Sequence, residues 1–221
     1  MASIYSTAQN DGYIASVNAT NWAGARDATD GTGSGRTSTR ATTSITSAKF
    51  PARGGGYSWR INRSFLWFDT SGVSETDSGD AIILYLYGFF TTTADFFAVK
   101  STHSVEFTTA IFDSIEGWSA GVDNEGNVTK YNDTEVTSWT HNAYNTITLN
   151  SAARTDIEDD DIFKVCLIEY DYDLKNVEPG TGVSAQTGMY YSDYTGTSRD
   201  PYIKYTPAAA ADNATFFGAN F

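Results

Sequence analysis

The chain is poor in the residues that staple or charge small folds: one cysteine, two histidines, two methionines and four prolines in 221 residues. Cys166 has no partner for an intrachain disulfide, and its position inside the apolar run 163–168 reads as a buried thiol. Two histidines and one thiol leave too few ligands for an imidazole or thiolate metal centre. Long hydrophobic runs are missing as well. No segment reaches the roughly 18 apolar residues of a membrane span, and the opening MASIYSTAQND lacks a basic region followed by an apolar one. Neither insertion in a membrane nor export behind a signal peptide is therefore expected. Basic residues are scarce too: 14 Lys and Arg face 27 Asp and Glu, for a formal net charge of −13 and a pI near 4.3. Such a surface repels nucleic acid, and that partner class is set aside. Helix signals are thin; the longest Ala-rich stretch, 208–211, is too short to nucleate one.

What the chain has instead is rings and small polar residues. Fourteen Tyr, thirteen Phe and five Trp, set among Thr, Ser and Gly, suit pleated sheets and tight turns. The organising stretch is 63–88, which reads RSFLWFDTSG, then a polar turn, then AIILYLYG. Each apolar run is strand-length and bounded by Ser, Asp and Gly, so the two are expected to pair at the core of an antiparallel sheet. In the second run, alternation puts Ile82, Leu84 and Leu86 on one face and Ile83, Tyr85 and Tyr87 on the other. Neither face is polar. Both need cover, from a second sheet and loops or from another protein molecule.

Further strands are expected at 4–5, 12–17, 42–50, 59–61, 96–99, 104–107, 128–131, 137–139, 146–149, 163–172, 189–191 and 202–205, with turn signals between them. Segments 18–43, 116–127 and 176–187 read as loops, and 156–161, DIEDDD, as an acidic turn. No repeat or linker divides the chain. This predicts one all-β domain over residues 1–206, an antiparallel two-sheet β-sandwich (jelly roll), followed by a short C-terminal tail, 207–221. The tail is a small-residue spacer leading to Phe216, Phe217 and Phe221. Three rings in six residues call for burial, on the parent domain or in a neighbouring subunit.

Catalytic signatures are thin. Residues 117–121, GWSAG, match the GxSxG pattern, but that chemistry needs a serine on a strained strand-to-helix turn with a histidine in reach, and no helix is expected after it. Clustered oxygens at 123–127 and 156–161 do not reproduce the EF-hand spacing and read as solvated turns. No metal and no cofactor is expected, and the protein is expected not to be an enzyme. Sugar binding has better candidates in rings placed on loops, namely Trp22, Trp118, Tyr190, Tyr191 and Tyr194; each ring taken singly fits ordinary packing too. Arg63, Arg199 and Asp200 read as structural, an arginine fork tying carbonyls or a carboxylate.

The order of segments carries a resemblance. RSFLWFDTSG, AIILYLYG, a segment around Trp139, then ITLN, FKVCL and YYSDYTGTSRDPYIKY follow one another between about residues 52 and 205. This resembles the jelly-roll modules named for the DNRLRE motif, which are similar to carbohydrate-binding modules and occur in bacterial surface proteins and phage virion proteins. The resemblance, with the aromatic tail and the absence of a signal peptide, implies a non-enzymatic structural protein of a tailed-phage virion, a head decoration or a tail-appendage component. Its partners would be other virion proteins and copies of itself, met through Tyr85, Tyr87, Phe216, Phe217 and Phe221. The alternative it implies is a module binding a host surface glycan through Trp118, Tyr190, Tyr191 and Tyr194.

Overall fold

The computed structural model describes residues 1–6, 11–18, 20–35, 40–90, 94–104, 106–192 and 195–209. Its strands are β1 (Ala2–Tyr5), β2 (Gly12–Asn18), β3 (Gly33–Gly35), β4 (Arg40–Pro51), β5 (Tyr57–Asp69), β6 (Ile82–Phe90), β7 (Phe96–Lys100), β8 (Tyr144–Leu149), β9 (Ile162–Glu169), β10 (Ser184–Tyr190) and β11 (Tyr202–Tyr205). The ladder runs β1-β11-β6-β10-β4-β5-β2-β3, with β8 on the other edge of β6 and β9 joining β5 to β7. Every pairing is antiparallel, so the all-β antiparallel class stands as expected.

The ladder folds over on itself into two layers. One is β1-β11-β6-β8; the other holds β2, β3, β4, β5, β7 and β9; and β10 links them where Gly188 and Met189 meet Phe90 and Gly88. Between the layers, Ile82, Leu84 and Leu86 of β6, Ile147 and Leu149 of β8 and Ile203 of β11 pack with Leu66 and Phe68 of β5 and Phe163, Val165 and Leu167 of β9. The expected pairing of the two runs in 63–88 is thus corrected. β5 and β6 face each other across the core because the linker 70–81 carries the chain from one layer to the other.

The opposite face of β5 and β9 builds a second core. Ile61, Phe65, Val99, Cys166 and Ile168 are covered there by Trp22, Phe107, Ile111, Phe112, Val128 and Leu174, which lie outside the strands. β5 is therefore buried on both faces, with residues 61–68 all buried, as are 165–169 of β9 and 96–99 of β7. In β6 the even residues 82–88 are buried, and Ile83, Tyr85, Tyr87, Phe89 and Phe90 are only half-buried.

Other expectations need correcting. Residues 151–159 form a helix, α2 (Ser151–Asp159), capped by the Asn150 side chain, so the acidic run is partly helical. A short helix, α1 (Trp22–Arg26), and β3 occupy the expected loop 18–43, and β10 begins inside the expected loop 176–187. Residues 128–131 contribute one bridge, Lys130 to Val99, and 137–139 and the described part of 104–107 are irregular. Here a side chain replaces a strand: Asn132 Oδ1 accepts the Ala98 N–H at 2.9 Å.

Candidate functional site: a tyrosine face and an open sheet edge

Arg63 is fully buried at the centre of β5. Its Nε and Nη2 donate to the two Asp173 carboxylate oxygens, each at 2.8 Å, and Nη1 and Nη2 donate to the carbonyls of Phe112 and Arg26. Phe112 and Trp118 stack on the guanidinium at 4.2 and 4.0 Å. Arg26, equally buried, donates to the Asp173 carbonyl at 2.6 Å and to Asp27, and also lies on Trp118. This is the fork expected at Arg63, and it ties the loop layer to the sheet. Bidentate pairing keeps the buried charges satisfied.

The described rings expected to form a glycan platform are largely covered. Trp118 is half-buried with two guanidinium groups on its ring, Tyr190 is 2% exposed and Tyr191 fully buried. The Tyr191 hydroxyl meets Ser64 Oγ at 2.7 Å, and burial pushes its pKa up. These three rings form no open platform. Tyr194 lies outside the described residues, as do Phe216, Phe217 and Phe221.

Tyr85 and Tyr87 stand elsewhere, on the outer face of the β1-β11-β6-β8 layer. Register fixes their company: Tyr5 opposes Tyr202, Tyr202 opposes Tyr85, Tyr85 opposes Thr146, and Tyr87 opposes Tyr144. Side chains directly opposite on one face touch, so four strands far apart in sequence lay their rings side by side. Tyr85 and Tyr202 stack in parallel, 4.5 Å between centroids and 5° between planes. Tyr144 meets Tyr85, Tyr87 and Tyr202 edge-on. Tyr190 and Phe89 extend the cluster, with Arg199 over Tyr87 and Tyr190 and Arg40 over Phe89.

Three hydroxyls of this face are engaged: Tyr87 donates to Asn142 O at 2.8 Å, Tyr144 to Asp200 O at 3.2 Å, and the Tyr190 oxygen accepts from Arg199. Burial, then neighbouring tyrosines, raises the pKa of Tyr144 and Tyr202, so both stay protonated. Tyr5 is 46% exposed, the most open ring of the group. Sequence reasoning found Tyr85 and Tyr87 by alternation. It missed Tyr5, Tyr144 and Tyr202 because their proximity is a matter of register.

Beside this face runs a groove of about 420 Å³ between β8 and the segment 134–138. Thr134, Glu135, Thr137 and Ser138 form one wall, and Tyr144, Asn145, Thr146 and Thr148 the other. Among the described residues β8 pairs with β6 alone, so one edge of it is open to the groove. The far wall is anchored on the other layer, where Val136 exchanges backbone hydrogen bonds with Phe96 at 2.9 and 3.2 Å.

Other candidates are occupied by structure. Ser119 sits in a turn and exchanges hydrogen bonds with the Asn124 side chain, with no helix after it. His103 is buried with Nδ1 2.8 Å from Ser101 Oγ; burial, helped by the Lys164 charge, lowers its pKa to about 3. Glu125 accepts from Tyr170 and Lys130, and Asp156 from Lys100 and Tyr131. Among the described residues no three His, Cys, Asp or Glu side chains gather as a metal site. Comparison with models of known protein families and with curated proteins finds no match.

Proposed function

We propose that the chain is a non-enzymatic structural protein of a tailed-phage virion, a jelly-roll module whose work is protein–protein contact through the tyrosine face of β1-β11-β6-β8. The virion setting rests on the resemblance in segment order; the contact role rests on how the rings are arranged. Sugar stacking needs a ring lying open on one side. Tyr85 and Tyr202 instead give one face to each other and meet Tyr144 edge-on. Such a surface is flat, amphipathic and already ordered, so docking it costs little side-chain entropy, which is why tyrosine is favoured at protein interfaces. A stable contact would bury on the order of 1,600 Å² in total.

The double substitution Tyr85→Ser with Tyr202→Ser is expected to leave a folded monomer by circular dichroism that no longer enters particles, read by mass spectrometry of purified virions. A glycan array is expected to stay silent. Normal incorporation of the double variant, or a glycan signal abolished by it, overturns the assignment. Deleting residues 208–221 is likewise expected to leave a folded monomer that no longer incorporates; the rings of Phe216, Phe217 and Phe221 would each contribute about 1.5–3 kcal/mol on burial.

A further inference from the structure

We infer that the groove beside β8 is a slot for one added β-strand, and that its occupant is the segment 210–221 of a second copy of this chain. The inference deepens the self-association part of the proposed function and rests on that reading.

The slot has backbone chemistry on both sides. In an antiparallel pair, alternate residues exchange both bonds with the partner and the rest point away. Gly88 N donates to Ala143 O at 2.9 Å, which makes that pair hydrogen-bonded. By alternation along the register Tyr87–Tyr144, Tyr85–Thr146 and Ile83–Thr148, the N–H and C=O groups of Tyr144, Thr146 and Thr148 then point from β6 into the groove. An open edge of this kind is a template for pairing with another chain. The opposite wall, 134–138, is irregular and meets β7 at the bridge between Val136 and Phe96. A strand laid between them would tie together two layers whose edges otherwise part at this side of the sandwich.

Composition fits one segment of this chain. Residues 214–221 read ATFFGANF, in which Thr215, Phe216, Phe217 and Phe221 favour strands. In a strand Phe217 and Phe221 fall on one face, Ala219 between them. That face would continue the outer row Tyr5–Tyr202–Tyr85–Thr146 by one more strand and, with Ala219 opposite Thr146, set one phenylalanine beside Tyr144 and the other beside Thr148. The polar walls of the groove suit the backbone, and the tyrosine face suits the rings.

The chain after β11 has the length to reach a second copy's slot. Thr206 O accepts from Asp77 N, Pro207 bridges Thr76, and Ala208 N donates to Glu75 O. Asp77 O is held by Arg154, and Thr76 N by Glu158. Thr76 Oγ1 also accepts from Arg154, so residues 206–208 run beside α2, opposite Arg154 and Glu158 and past the Leu149 end of β8. The twelve residues 210–221 span about 40 Å when extended, enough to reach a neighbour.

The test uses a fluorescent synthetic peptide of residues 208–221 and the chain truncated after Ala209. Saturable binding is expected, with Phe217→Ser plus Phe221→Ser in the peptide weakening it at least about tenfold, and Thr146→Pro in the truncated chain doing the same by removing one edge donor. A second measurement fixes the source. The truncated chain with Thr146→Cys is mixed with full-length chain carrying Ala219→Cys, under mild oxidation; Cys166 is buried and stays out of the reaction. A disulfide between the two chains is expected. No peptide binding overturns the slot, and a disulfide formed only within one chain carrying both substitutions overturns the second copy as occupant. Loss of particle entry in the Tyr85 and Tyr202 variant together with no peptide binding would leave the contact function standing and remove the slot alone.

Discussion

At the scale of single residues, Arg26, Arg63 and Asp173 meet at one fully buried junction. Asp173 takes both prongs of Arg63, so Asp173→Ala strands a buried guanidinium between Phe112 and Trp118. Removing one partner of such a pair costs about 3–5 kcal/mol, and urea denaturation of Asp173→Ala is expected to show a loss of that size. Two other buried groups have their pKa values pushed in directions that give opposite pH slopes. His103 has its folded pKa depressed to about 3, so its contribution is complete above the unfolded value and is lost as pH falls from about 6.5 towards 3. Glu169 accepts the backbone N–H groups of Asp171, Tyr172 and Asp173, yet burial raises its pKa to about 7. Its contribution is complete below about 4.5 and is lost as pH rises through 7. Between pH 4.5 and 6.5 the two slopes oppose each other. Thermal midpoints measured across that range are expected to be nearly flat in the native chain, to fall with rising pH in His103→Gln, and to rise with pH in Glu169→Gln.

At the scale of elements, the linking of the layers depends on two glycines. A methyl group at Gly88 would collide with the Thr140 carbonyl oxygen and crowd the Trp139 indole, and one at Gly188 would collide with the Ala41 carbonyl oxygen. The Trp139 indole N–H also donates to Gly188 O at 3.0 Å. Gly88→Ala is expected to lower stability by about 1–3 kcal/mol through overpacking, measured by chemical denaturation. Strands in this molecule were readable wherever alternation was strong: β2, β4, β6, β7 and β11 lie where the apolar spacing puts them. Pairing was not readable. The runs of β5 and β6 look like a hairpin, and only the length of the linker between them hints that they part into separate layers. Helix α2 was hidden by its acidic end, although Asn150 as a cap and the buried pair Ala153 and Ile157 carry a helical signature. The candidate site was half visible for the same reason. Alternation marks Tyr85 and Tyr87, whereas the rings that complete the face arrive from β1, β8 and β11 through long-range register.

At the scale of the whole molecule, three tiers are stacked: the tyrosine-faced layer, the layer built on β5 and β9, and the loops that cover the latter from behind. Phe65 and Cys166 look one way and Leu66 and Val165 the other, all without exposure. The middle tier is held by both neighbours, while among the described residues β8 pairs on one edge only. Backbone amides in β5 and β9 are expected to exchange with deuterium only when the whole protein opens, and those facing the groove from β8 at much lower opening energy, which residue-resolved hydrogen exchange measures. An outer strand such as β8 can thus let go, and take hold of something else, while the centre of the protein keeps its protons.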